Sequence, residues 1–196
     1  MIRKAAAILL TALSLPATAA STLFEATLTG PNEFPANASP GFGFALVTYD
    51  DSLHTLHVQV LFNQLFGDTT ASHIHCCVSP GAATPTAGVA TTTPTFAGFP
   101  LGVKSGIYDS TLDLTSASSW NSQFPAFMNG GASGAEAALA TGLFAGTTYL
   151  NIHTTAKTGG EIRGFLTAVP EPSTYALLAA GLLAVTFVAR RRQHRG

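Results

Sequence analysis

The stretch Leu56-His57-Val58-Gln59-Val60-Leu61-Phe62 places Leu56, Val58, Val60 and Phe62 on one side of an extended chain, and His57, Gln59 and Leu61 on the other. A period of two marks a strand with one face in a core and one in water, whereas a helix would repeat its apolar residues three and four apart. Comparable runs lie outward from it: Thr22 to Thr29, Phe42 to Asp50, Ala71 to Val78, Gly106 to Thr115, Thr147 to Thr154 and Glu161 to Ala168. Gly, Pro, Asn and Asp clusters separate them, and about seven short strands punctuated in this way predict an all-β antiparallel sandwich. One short helix is expected over Gly134 to Phe144, rich in Ala, Glu and Leu, with Gly146 to stop it. A second, near Ser118 to Met128, would be interrupted by Pro125. Residues 79–102 hold four prolines and four glycines without a charge and read as a long surface loop, either a plain connection or a binding loop.

The chain has 196 residues, is 46% hydrophobic and 10% charged, and carries a formal net charge of -1. Those values exclude disorder, and two cysteines exclude a disulfide-dense scaffold. The charge is unevenly placed. Arg3 and Lys4 make the start basic, and Arg190, Arg191, Arg192 and Arg195 make the end basic. Residues 21–169 therefore carry -6, from nine acids against Lys104, Lys157 and Arg163. Such a domain is a poor partner for nucleic acid or anionic lipid.

Both ends read as targeting segments. Residues 1–20 have a basic start, an apolar run from Ala5 to Leu15 and small residues at Ala17 and Ala19, the pattern of a secretory signal peptide. Residues 170–196 begin with Pro170-Glu171-Pro172, continue uncharged to Ala189 and end in Arg190-Arg191-Arg192. The uncharged run predicts a C-terminal transmembrane helix whose arginine cluster anchors its end in the cytoplasm. Together the motif, the run and the arginines resemble the PEP-CTERM sorting signal of Gram-negative bacteria. The resemblance implies export through the inner membrane, recognition by an exosortase-type protease, removal of the tail near the motif and delivery to the envelope or extracellular matrix. A plain membrane anchor is the alternative on the physics of the span alone.

Chemistry is offered by histidines. His73-Ile74-His75 lies in a predicted strand, so both imidazoles share a face, roughly 6.5 Å apart. His153 sits in a later strand that would join them if the two strands pair. Imidazoles without thiolates suit Cu, Zn or Ni; the competing reading is a structural cluster bonded to backbone or to carboxylates such as Asp68 or Glu161. His54 and His57 read as surface residues. Cys76-Cys77 follows the pair, with three readings open: a vicinal disulfide, bridges to another chain, or thiols that join a soft metal site. Glu161 and Arg163 share a strand face and are expected to form structural ion pairs. No nucleophile elbow, zincin motif or phosphate loop is present, so no enzyme activity is expected.

His73-Ile74-His75, the later Tyr149-Leu150-Asn151-Ile152-His153-Thr154, the closing Gly160-Glu161-Ile162-Arg163-Gly164 and the opening Gly30-Pro31-Asn32-Glu33 together resemble a CHRD domain, the module named after chordin. The resemblance covers essentially residues 22–168. It implies an extracellular, immunoglobulin-like β-sandwich and carries no catalytic residues. The expected organisation is thus a signal peptide over 1–20, a CHRD-like domain over 21–169 and a sorting signal over 170–196. Two functions are expected: an envelope or matrix protein that packs among exopolysaccharide or envelope proteins, or a Cu or Zn protein of redox type built on His73, His75 and His153.

Overall fold

A computed structural model describes residues 21–170 and 172–193. The signal peptide expected over 1–20 and Glu171 of the sorting motif lie outside the described residues. The alternating runs form β1 (Thr22–Thr29), β2 (Phe42–Asp50), β3 (Thr55–Asn63), β4 (Thr69–His75), β5 (Gly106–Asp113), β6 (Tyr149–Thr154), β7 (Ile162–Phe165) and the short β8 (Thr167–Ala168). Among the described residues two α-helices accompany them, α1 (Pro125–Phe144) and α2 (Pro172–Gln193).

The strands do not form two separate sheets, which corrects the expected immunoglobulin-like sandwich. They form one antiparallel sheet in the order β4-β6-β7-β1-β2-β3-β5, with β8 also pairing β1. The cause lies in β1. It pairs β2 along its whole length, from Thr22 opposite Tyr49 to Thr29 opposite Phe42, and on its other edge it pairs β7 and β8. That strand stitches together what a sandwich would keep apart, and the twist of eight strands curls the sheet around its own inner face.

Inside the curl, alternate residues meet in one core: Phe24 and Leu28 of β1, Val47 of β2, Val58 and Phe62 of β3, Ile74 of β4, Leu150 and Ile152 of β6, and Ile162 of β7. Cross-strand register places Phe24 opposite Val47 and Val47 opposite Val58. Helix α1 covers one opening with Ala135, Leu139 and Leu143, and Phe144 meets Phe24 edge-on with centroids 5.4 Å apart. The helix starts earlier than expected because Pro125 occupies its first turn, where the missing N–H costs nothing, instead of breaking it. Gly131, at φ 61°, kinks it, and Gly146, at φ 66°, follows its end.

The loop over residues 79–102 is more than a surface connection. It buries Ala90, Thr91, Phe96 and Phe99, with Phe99 stacked on Phe62 at 5.5 Å, and it bridges His75 to Val89 and Thr91 to Trp120.

The tail does form a helix, α2, but among the described residues no helix is long and apolar enough to cross a membrane. The expectation of a transmembrane helix is corrected accordingly.

Candidate metal centre

The pairing of β4 with β6 sets Ala71 opposite His153, His73 opposite Asn151 and His75 opposite Tyr149. Ile74, Leu150 and Ile152 turn into the core, so the alternate residues His73, His75, Tyr149, Asn151 and His153 share the opposite face. One ring nitrogen of each of His73, His75 and His153 lies within 4.8 Å of one nitrogen of each of the other two. The His73 ring centroid is 4.9 Å from that of His75 and 4.7 Å from that of His153.

This face would ordinarily be wet, yet His73 and His75 are buried. The 79–89 segment roofs it. His75 donates from Nδ1 to the Ala87 carbonyl at 2.7 Å, and Tyr149 stacks on the His75 ring at 4.6 Å and 7°. From the other side the turn after β6 closes in, and His153 donates from Nδ1 to the Thr158 carbonyl at 2.8 Å.

Those two bonds fix the tautomers. A carbonyl only accepts, so Nδ1 of His75 and of His153 carries the proton, and in a neutral ring Nε2 holds a bare lone pair. Both Nε2 atoms are buried with no hydrogen-bond partner, as is Nδ1 of His73. Burial favours the neutral rings. Desolvation, with smaller contributions from neighbouring rings, pushes His73 down to about 3; desolvation pushes His75 down to about 4, partly offset by the Ala87 bond; and desolvation lowers His153. The cluster therefore gathers three neutral imidazoles, each with one buried ring nitrogen that has no hydrogen-bond partner. Unmatched buried acceptors each cost on the order of 1–3 kcal/mol, and a cation would satisfy all three at once.

Arg163 and Glu161 do not pair with each other, which corrects the expected structural ion pair. Arg163 lies 3.7 Å from Glu33, donates from Nε to the Asn32 carbonyl at 2.5 Å and from Nη1 to the Pro85 carbonyl at 3.0 Å, and sits 4.7 Å over the Tyr149 ring. It holds the roof to the sheet. Glu161 is fully buried elsewhere. Its Oε1 accepts from the Ser39 hydroxyl and the Phe66 amide, both at 2.5 Å; its Oε2 accepts from the Thr154 hydroxyl at 2.5 Å and the Gly67 amide at 3.2 Å. Burial alone would raise this carboxyl, but the four donors hold it below its ordinary value.

Cys76 and Cys77 form a vicinal disulfide. It packs against α1, where a Cβ on Gly142 would come within 2.5 Å of Cys77 Sγ and 2.6 Å of Cys76 Sγ. Cys76 directly follows His75, so its side chain takes the core face and the sulfurs do not join the imidazoles. Among the described residues no cysteine is free for a bridge to another chain. His54 pairs with Glu136 at 3.0 Å and His57 with Asp109 at 2.7 Å, both on the surface and away from the cluster.

Three residues of the site went unread in the sequence. Tyr149 and Asn151 were in reach, since they share with His153 the period-two face of one strand. Glu33 was not, because only the folded chain brings it to Arg163.

A family model described as CHRD domain matches residues 24–166, and one described as PEP-CTERM protein-sorting motif matches residues 168–192. No curated protein and no solved structure matches the chain.

Proposed function

The chain belongs to the CHRD-domain family and carries a PEP-CTERM sorting motif, and from that premise we propose that it is an exported protein whose CHRD domain holds one Cu or Zn ion on His73, His75 and His153. The observation that carries this reading is the convergence of three buried, unpaired imidazole nitrogens, with the His75 and His153 rings held from behind by backbone carbonyls. Metal-binding histidines are oriented in that way, the outer N–H on an acceptor and the inner lone pair on the ion. Metal–nitrogen bonds of about 2.0–2.1 Å in a tetrahedral site set nitrogens about 3.3 Å apart, so the widest pair would close by roughly 1.5 Å on binding. Side-chain rotation supplies that.

The motif supports export and sorting in a Gram-negative bacterium. We further read the tail as the part an exosortase-type protease removes, leaving the domain in the envelope or the extracellular matrix, where exopolysaccharide or envelope proteins are its neighbours. In this reading the protein binds and does not catalyse.

Calorimetric titration of the chelator-washed protein with Zn(II) and with Cu(I) tests the proposal. One ion per chain is expected, with binding lost in the His73→Ala/His75→Ala/His153→Ala variant. Absence of binding by the wild type, or equal binding by the variant, overturns it.

A further inference from the structure

A fourth unpaired atom shares the face of the three imidazoles. Asn151 is 2% exposed, lies directly across the β4–β6 ladder from His73, and precedes His153 by two residues on the same strand face. Its backbone carbonyl is occupied by the Ser72 hydroxyl at 2.8 Å, but its side-chain oxygen, buried, has no donor at all. Among the described residues five buried side-chain N or O atoms lack partners, and four of them are the three histidine nitrogens and this oxygen. An asparagine buried for structural reasons would spend its carbonyl on a backbone N–H. Here the oxygen is left on the strand face that carries the three unpaired ring nitrogens.

We infer that Asn151 Oδ1 is the fourth ligand of this centre, which makes it a closed N3O site for Zn(II). The inference rests on the metal reading above and narrows it. A neutral amide oxygen is a hard donor that Cu(I) does not seek, and three imidazoles on two twisted strands cannot supply the square plane that Cu(II) prefers. Zn(II) imposes no such geometry and takes nitrogen and oxygen in a tetrahedron. Four protein ligands leave no position for water, so the ion clamps β4 to β6 beneath the 79–89 roof and serves no reaction.

Cobalt(II) in the full-length protein tests this, because its visible spectrum reports coordination number and its free positions bind azide. The wild type is expected to take one Co(II) with the intense spectrum of a four-coordinate ion and to ignore azide. Asn151→Ala is expected to keep the 1:1 stoichiometry, to bind Zn(II) 10-fold to 100-fold more weakly, and to change colour on azide addition. Asn151→Asp restores an oxygen and is expected to restore the azide-silent spectrum, which separates loss of a ligand from loss of fold. A wild-type spectrum that responds to azide, or an Asn151→Ala protein indistinguishable from wild type in affinity and spectrum, overturns the inference while the three-histidine reading stands. No Co(II) or Zn(II) binding by the wild type overturns the inference, and no binding of Cu(I) either overturns the three-histidine reading with it.

Discussion

Glu161→Gln changes one oxygen for an NH2 group, and the structure says what that does. The wild-type carboxylate has two donors on each oxygen: the Ser39 hydroxyl and Phe66 amide on one, the Thr154 hydroxyl and Gly67 amide on the other. A hydroxyl can rotate and accept from the new amide. A backbone N–H cannot. Whichever way the glutamine amide turns, its NH2 faces either the Phe66 or the Gly67 N–H, donor against donor, at a fully buried position. One charge-assisted bond is lost, about 1.5–3 kcal/mol, and one buried N–H is stranded, about 1–3 kcal/mol. The expected destabilisation is about 3–5 kcal/mol. A domain of this size has roughly 7–20 kcal/mol in hand, so the variant stays folded and the loss is measurable by urea unfolding at pH 7 with chelator present. The pH dependence gives a second signature. The folded carboxyl is held below its unfolded value, so its contribution is complete above that value and is lost as pH falls through the folded one; in Glu161→Gln this part of the acid limb disappears. A loss below about 1 kcal/mol with an unchanged acid limb would refute the assignment of Glu161 as the tie between the 37–41 and 66–67 segments and β6.

Glu33 behaves in the opposite sense. Burial, only partly offset by Arg163 and the Phe34 amide, pushes its carboxyl up to about 7, so its effect on stability is most favourable below the unfolded value near 4.5 and fades as pH rises to 7. Against Glu33→Gln, the wild type is expected to lose about 3 kcal/mol between pH 4.5 and 8, read as the difference between the two unfolding curves; parallel curves would contradict this. Gly142→Ala drives a Cβ into both disulfide sulfurs and the Thr148 hydroxyl and should cost about 1–3 kcal/mol, seen as a lower melting temperature in oxidised protein. Phe96→Ala empties a fully buried ring from a segment without regular structure and should cost about 3–5 kcal/mol; a loss under 1 kcal/mol would mean that the loop is a plain surface connection after all.

The strands were legible because each buries alternate residues on one face. Thr22–Thr29 and Phe42–Asp50 have the bounds the pattern implies, and β4 ends three residues early because Cys76 starts the disulfide turn. Sheet closure was not legible, since alternation names the buried face and not the neighbour: nothing in Thr22–Thr29 says that it pairs on both edges. The same limit explains Arg163. Spacing put Glu161 on its face of the strand, while the fold supplied Glu33 from a turn some 130 residues earlier and gave Glu161 to hydroxyls and amides. The histidines fared better. His73 and His75 share a face by period alone, and His153 needed one assumption, the β4–β6 pairing, which the structure contains. What the sequence hid was the burial of that face, because a charge-free loop rich in proline and glycine gives no sign that it folds back as a roof.

Metal content tests the account most directly. The full-length protein, produced without a chelator or a metal-affinity tag, is analysed by elemental mass spectrometry beside the His73→Ala/His75→Ala/His153→Ala variant. The account predicts close to one zinc per chain in the wild type and none in the variant. A wild type that emerges folded and metal-free, and stays so after exposure to zinc and copper, would contradict it.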